Sequence, residues 1–554
     1  MRVIGASGVC PLNQPAIVAP EAAMTVESKP DGSPGTAVQP SGRRSGQDQA
    51  GETQTRGQKD GAGQGRGDGG TPRVGPNKWA VLAILAVGVF MATLDASIVN
   101  ISLPAIGHSF GVPLGGSVEW VIIAYLVVVA GTLLTVGRLA DLIGRKPIWA
   151  IGLVLFTIGS ALCGLAPSLA LLIVARGVQG LGGSLVMAVS PALLLGAFPS
   201  GERGKALGYN ALVVALGTSA GPTFGGIITE HLTWRWIFFV NVPLGVIGLV
   251  ATLRFLTDRT QTDRGRFSLR RFDAPGALLL AVGLAALTLG LSFGQEWGWT
   301  SPLLLGTLAL AAVALVALVL LESRVTGPII DLSLLKNRVF TSAIISLVLT
   351  FLALFAVSFI LPYYLEELRG FPTQEAGLLL TPLPLTIAVV APFSGNLADR
   401  FGSRWLAASG LTIACVGLVL LSTLDARSSV FDIAWRLVVT GVGQALFQSP
   451  NNSALLGAAP EERRGVASGF LATGRVVGQS VSVALAGAVF ASLGGAAAGR
   501  RLVLLRETHG QPAGAHAIAA LQGAFVDGFH GALVVCAALA ALGILTSLVR
   551  GKES

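Results

Sequence analysis

Four charged residues stand inside long apolar runs of this chain: Asp95, Arg176, Arg436 and Arg475. A charge near the centre of a bilayer costs from about 2.5 to more than ~10 kcal/mol, so each must face a protein interior and serve a purpose there. Asp95 lies nine residues before Pro104, where the first apolar run ends, and Arg176 lies eight residues after Ser168, where the fourth begins. At 1.5 Å rise per residue both sit roughly 13 Å below the same face. A carboxylate and a guanidinium at one depth can pair, and a proton arriving on the carboxylate would weaken that pair. The plain alternative is a static ion pair that fixes helix packing. Arg475 falls ~15 Å into its run, near the midplane, with Gln479 one turn on. These two place hydrogen-bond donors where a solute would be held, or else are satisfied by backbone carbonyls between helices.

The elements that carry these residues are long apolar spans. Of 554 residues 52% are hydrophobic and 12% charged, with mean hydropathy +0.71; soluble domains have roughly 25% charged residues. Runs of 18 or more apolar residues recur, long enough to cross a ~30 Å hydrocarbon core as helices. Fourteen spans are expected, near 79–104, 119–137, 148–166, 168–195, 206–228, 236–256, 275–293, 302–321, 339–364, 374–396, 405–422, 430–454, 465–491 and 529–549. Residues 1–76 are rich in Gly, Pro, Ser, Gln and Arg and read as a disordered tail. Residues 551–554 form a second short tail.

Residues 137–146 read Gly-Arg-Leu-Ala-Asp-Leu-Ile-Gly-Arg-Lys, and 395–404 read Gly-Asn-Leu-Ala-Asp-Arg-Phe-Gly-Ser-Arg, 258 positions later. Displacing the first six spans by 258 residues predicts spans nine to fourteen. The expected fold is therefore all-α and membrane-integral: a bundle at 77–257, a linker at 258–338 with two inserted helices, and a second bundle at 339–550. Two related bundles facing each other suit the movement of a solute by rocking about a central site. In the loops, glycines permit tight turns, and Asp141 and the cations after it form links that hold in one state and break in the other. With the amino terminus inside, inner loops and the tail hold twenty Lys and Arg, the outer loops six. Positive-inside ordering places both termini in the cytoplasm.

Span five contains Gly217, Gly221 and Gly225 at four-residue spacing, with Pro222 among them. The glycines allow a neighbouring helix to close against that face, and the proline removes a backbone hydrogen bond and kinks the helix. The net charge of +9 is scattered over short loops, which argues against a nucleic-acid surface. The five histidines and four cysteines are dispersed, with no metal-binding spacing, nucleotide loop or nucleophile elbow, so neither an enzyme nor a cofactor or metal is expected.

The order of these motifs resembles the fourteen-helix drug:proton antiporter family of the major facilitator superfamily over about residues 78–550. Leu94–Pro104, with Asp95 and Asn100, is similar to that family's span-one motif. Gly137–Lys146 is similar to the loop motif, Arg176–Gly180 to the span-four motif, Gly217–Gly226 to the antiporter motif and Trp234–Pro243 to the approach to span six. The resemblance implies export of amphiphilic small molecules across the cytoplasmic membrane, driven by proton entry, by a monomer among membrane lipids. By it, Asp95 is the protonation site and Arg176 its partner in proton transfer. Asn100 and Tyr125 line the substrate cavity with Arg475 and Gln479. Gly137, Asp141, Gly144, Arg145, Asp399 and Arg404 form the conformational latch.

Two departures matter: Val121-Ile122-Ile123-Ala124-Tyr125 lacks a hydroxyl usual in the family, and Ser403 precedes Arg404, which predicts a weaker second latch. Spans seven to fourteen show no embedded carboxylate, since Glu296, Glu322, Glu366 and Glu375 fall at span ends or in loops. With Arg475, this favours neutral or anionic amphiphiles of a polyketide-like kind. A dedicated exporter of one metabolite or antibiotic, or a solute symporter, is the alternative on the same scaffold, since fold alone does not fix direction.

Overall fold

The computed structural model describes residues 77–112, 117–199, 202–256, 274–323, 334–460, 464–507 and 515–550. The expected tails at 1–76 and 551–554 lie outside them, as does most of the segment joining spans six and seven. Within the described residues every regular element is helical. In the first half these are α1 (Lys78–Phe110), α2 (Trp120–Ile143), α3 (Arg145–Leu165), α4 (Leu169–Ala197), α5 (Arg203–His231), the short α6 (Trp236–Phe239) and α7 (Asn241–Phe255). Two helices follow, α8 (Ala274–Trp297) and α9 (Pro302–Glu322). The second half comprises α10 (Arg338–Tyr363), α11 (Thr373–Leu380), α12 (Pro382–Phe401), α13 (Ser403–Ser422), α14 (Val430–Gly457), α15 (Arg464–Ser492), α16 (Gly495–Glu507) and α17 (Ala515–Leu548).

Twelve helical stretches among the described residues are long and apolar enough to cross a membrane. The second and seventh expected spans are the 24-residue helices α2 and α8, whose apolar stretches are shorter. Chain chemistry sets the starts. The Ser168 hydroxyl accepts from Leu171 N, Ser301 from Leu304 N, and Ser429 and Asp432 form a reciprocal capping box, occupying donors that a helix start leaves unpaired.

Duplication is visible in the packing. In the first half α3 packs on α4, α1 on α5 and α2 on α4; in the second, α13 packs on α14, α10 on α15 and α12 on α14. Small residues at matching positions bring the backbones together. Gly152 lies against Leu185 and Val186 of α4, and Gly410, its counterpart 258 residues on, lies against Leu446 and Phe447 of α14. A Cβ at either would approach within 2.8 Å or less, so the helices can cross this closely only at glycine.

The 258-residue displacement fails for the sixth span. It would carry α7 onto α16, but α16 is an additional 13-residue helix. The true counterpart is α17, which packs on α13 and α10 as α7 packs on α3 and α1. The halves meet through α5 against α11 and α12, and through α2 against α15. The extra pair packs on itself, with α8 also touching α2 and α15.

Candidate functional site

Asp95 and Arg176 are joined. Arg176 Nη1 donates to Asp95 Oδ2 over 2.7 Å, and both side chains are at most 1% exposed. The pair stands in a polar cluster drawn from nearly every helix of the first half. On α4, one turn beyond Arg176, Gln179 Nε2 donates to Asp95 Oδ1 at 2.8 Å, while its Oε1 accepts from Arg176 Nη1 at 2.6 Å. Asn241, opening α7, donates to the same Asp95 oxygen at 2.9 Å. Ser160 of α3 accepts from Gln179 and Asn241 and donates to Phe238 O. Arg176 Nε donates to Val121 O on α2.

Aromatic rings close the cluster. The Arg176 guanidinium lies 4.4 Å from the Tyr125 ring centroid and 5.8 Å from that of Phe238, an attraction that strengthens where water is excluded. Both Asp95 oxygens therefore accept hydrogen bonds, Oδ2 from Arg176 and Oδ1 from Gln179 and Asn241. The arrangement can act as a switch whose two settings differ in which donors the carboxylate keeps.

Tyr125 packs beneath Arg176 and is 3% exposed, and its hydroxyl has no hydrogen-bond partner among the described residues. Asn100 is buried on α1, five residues from Asp95 toward the end of the helix, with its Oδ1 likewise unpartnered among the described residues. Arg475 of α15 faces Phe351 of α10 at 5.1 Å. Its Nε makes no hydrogen bond among the described residues, so a carbonyl satisfying that atom is not found. Gln479 is half-buried one turn on. The Asp95 cluster and the Arg475 pair thus occupy separate halves of the molecule.

The glycines of α5 do meet a neighbour. Gly217 lies against Thr93, Gly221 against Ser97, and Gly225 against Ile98 and Ile101, all on α1. The helix runs without a break through Pro222. Its other face seals the two halves together: Gly377 of α11 abuts Pro222 O, and Gly226 abuts the backbone of Thr373 and Gln374. Thr223 and Thr381 share a 2.7 Å hydrogen bond, and Glu230 accepts from Thr373 N at 3.1 Å. This seam lies at the end of α5 away from the GxLAD loops.

At the loop end, Gly144 and Gly402 adopt matching turns (φ 108°, ψ 146° and φ 80°, ψ 142°) before α3 and α13, conformations that favour glycine. Arg145 Nη1 donates to Ala192 O on α4. Gly137 is half-buried in α2 with open space beside it, and the Arg404 guanidinium lies 5.4 Å from the Trp405 ring. The side chains of Asp141 and Asp399 lie outside the described residues.

Sequence reasoning missed several polar residues. Gln179 and Asn241 lay inside recognised motifs without a role, and Ser160 was unremarked; neutral polar residues in apolar helices leave no charge signature. It also understated the buried acids. Glu119, just before α2, is fully buried and accepts from Ser292 of α8 at 3.1 Å. Glu367, 7% exposed, and Glu366 lie in a π-helical turn at the end of α10 that the expected boundary placed outside the membrane-spanning run.

The family model of the Major Facilitator Superfamily matches residues 85–271, 275–483 and 343–553. The chain is 38% identical over 415 residues to the riboflavin transporter RibZ of Clostridioides difficile, covering 75% of this chain and 88% of that one. It is 36% identical over 419 residues to the multidrug resistance protein Stp of Mycobacterium tuberculosis, covering 75% and 77%. The fold matches the crystal structure of a bacterial homologue of the human lysosomal transporter Spinster, in an inward-facing conformation, with a TM-score of 0.60 at 16% identity over 86% of this chain and 99% of that one. The chain is a multi-pass, non-enzymatic membrane transporter of small molecules, and it belongs to the Major Facilitator Superfamily, in the branch of its drug-efflux proteins.

Proposed function

We propose that this transporter is a proton-coupled antiporter that exports amphiphilic small molecules from the cytoplasm by alternating access. The observation that carries the reading is the Asp95 carboxylate, fully buried and held by Arg176, Gln179 and Asn241. A fixed acid with a displaceable cationic partner is what a proton switch needs. Protonation removes the charge that holds Arg176, the cluster loosens, and α1, α4 and α7 are freed to shift together. Because α5 packs on α1 along its glycine face and seals the halves at Pro222 with its other face, movement of α1 is passed to the seam.

In this reading residues 77–257 and 339–550 are the two rocking halves and 258–338 carries the inserted pair. Both termini lie in the cytoplasm of a bacterial inner membrane, and the loops at 137–146 and 395–404 are cytoplasmic latches. The seam of α5 with α11, at the end away from those loops, supports closure on the outer side. Arg475, Gln479 and Asn100 line the substrate path of a monomer. Similarity to a riboflavin transporter favours a second reading, a transporter dedicated to one flat, polar-edged metabolite.

The test uses sealed inside-out vesicles with an imposed pH gradient and a panel of cationic, neutral and anionic amphiphiles. Accumulation of several compounds, abolished by a protonophore and by D95N at normal membrane levels, is expected. Accumulation unaffected by the protonophore overturns proton coupling, and transport of one compound alone favours the dedicated transporter.

A further inference from the structure

The two GxLAD loops differ where the helix after each begins: Arg145 opens α3, and its counterpart 258 residues on, Ser403, opens α13. Because the Gly144 and Gly402 turns match, both residues are presented at the same place relative to their own half. In the first half, the Arg145 guanidinium spans from α3 to Ala192 O on α4 over 3.2 Å. A serine hydroxyl in the second half is too short to span the equivalent gap from α13 to α14.

The guanidinium there comes from another helix. α17 runs antiparallel to α13: His530 Nε2 bonds Leu424 O, Cys415 Sγ donates to Ala537 O, and Gly543 lies against Leu411. That register carries the chain beyond Leu548 and sets Arg550 beside Ser403. Arg550 is fully buried. Its Nη1 reaches Ser403 Oγ at 3.5 Å, and its Nη2 donates to Asn451 Oδ1 on α14. Gly182 of α4 crosses α3 at Phe156 and Gly443 of α14 crosses α13 at Ala414, which relates α4 to α14 by 261 residues. Asn451 then corresponds to Ser190, two residues before Ala192, so the contact falls on the same turn of α14 that Arg145 uses on α4.

The first half has the reverse arrangement. There α7 runs antiparallel to α3 through Ser160 with Phe238, Thr157 with Gly245, and Trp149 with Thr252. By that register the end of α7 brings the buried, apolar Leu256 toward the start of α3. Arginine and a small or apolar residue have exchanged places across an antiparallel pair of helices. A buried guanidinium is tolerated only where its donors are used, and its planar fork serves equally well from either helix.

We infer that Arg550 supplies, from the end of α17, a guanidinium at the place in the second half that Arg145 fills in the first, and is a positioning residue that holds the Gly402 turn against α14. The inference rests on reading these loops as latches. In that role it binds α13, α14 and α17 at one end, so that the second half moves as a unit.

The experiment compares R550A, R550K, S403R and the double variant R550A/S403R as full-length protein. It reads protonophore-sensitive export in vesicles and the thermal unfolding midpoint in detergent. R550A is expected to export about tenfold more slowly, the loss of roughly one charge-assisted buried hydrogen bond, with R550K little better. Moving the guanidinium back, in R550A/S403R, is expected to restore export to within about twofold and the midpoint toward that of the natural protein. S403R alone, which crowds two cations, is expected to lower both. Wild-type export by R550A, or a double variant no better than R550A, overturns the inference. If R550A fails to accumulate, recovery of folded protein in the double variant supports the inference and no recovery overturns it. Should the natural protein show no protonophore-sensitive export, the antiport reading fails while the unfolding comparison still decides the role of Arg550.

Discussion

Gln179 Nε2 donates to Asp95 Oδ1 over 2.8 Å while the same amide's oxygen accepts from Arg176 at 2.6 Å. The amide thus holds both members of the ion pair, and losing it loosens both. Q179L is expected to lower pH-gradient-driven export about tenfold, consistent with losing hydrogen bonds to charged groups worth ~1.5–3 kcal/mol each. Initial rates in vesicles over a range of imposed gradients check this; an unchanged rate leaves Gln179 with a packing role.

Arg176 uses Nε and Nη1 at once, for Val121 O, Asp95 and Gln179, between the rings of Tyr125 and Phe238. A lysine ammonium cannot reproduce that fork. R176K is expected to lose export by more than about tenfold. R176A, which strands a buried carboxylate, is expected to lose about 3–5 kcal/mol of stability as well. Thermal unfolding of the purified variants, set beside their export rates, separates the two effects.

The seam offers a test away from the charges. A Cβ on Gly377 would fall 2.1 Å from Pro222 O, a backbone atom that cannot swing aside. G377A is expected to push the halves apart at that end, at a cost of roughly 1–3 kcal/mol typical of overpacking, without touching the Asp95 cluster. Cysteines introduced at Thr223 or Thr381 are expected to react faster with a membrane-impermeant thiol reagent in G377A than in its parent. Equal rates contradict the assignment of this seam as the outer closure.

Arg475 belongs to the other half, with Phe351 beneath it and no hydrogen bond to its Nε among the described residues. R475A is expected to alter the relative rates for anionic and cationic compounds by about tenfold while leaving the response to the pH gradient intact, since a charge contact in a dry site is worth at least ~1.4 kcal/mol. Transport ratios measured across the panel check this, and uniform loss for all compounds returns Arg475 to a structural role.

Much of this is legible in the sequence. Helix rise alone placed Asp95 and Arg176 at one depth, because each lies a countable distance from a helix end marked by Pro104 or Ser168. The glycine face of α5 was legible too, since four-residue spacing has few other uses. The neutral partners were not: Gln179, Asn241 and Ser160 converge from three helices, and one-dimensional spacing carries no information on such tertiary convergence. Ser403 reads in the sequence as a weaker latch, and its contact with Arg550 of the α17 end was not legible, because α16 interrupts the repeat between them. Glu119 and Glu367 escaped notice because they sit near helix ends, where acids ordinarily face water.

The most direct measurement is infrared difference spectroscopy of the purified transporter across a pH titration, with D95N as the reference that assigns the carboxyl band. The account predicts a protonated carboxylic acid band that rises as pH falls, is absent in D95N, and shifts when a transported compound is added. An Asp95 carboxylate that stays ionised from mildly acidic to alkaline buffer, with and without such a compound, contradicts it.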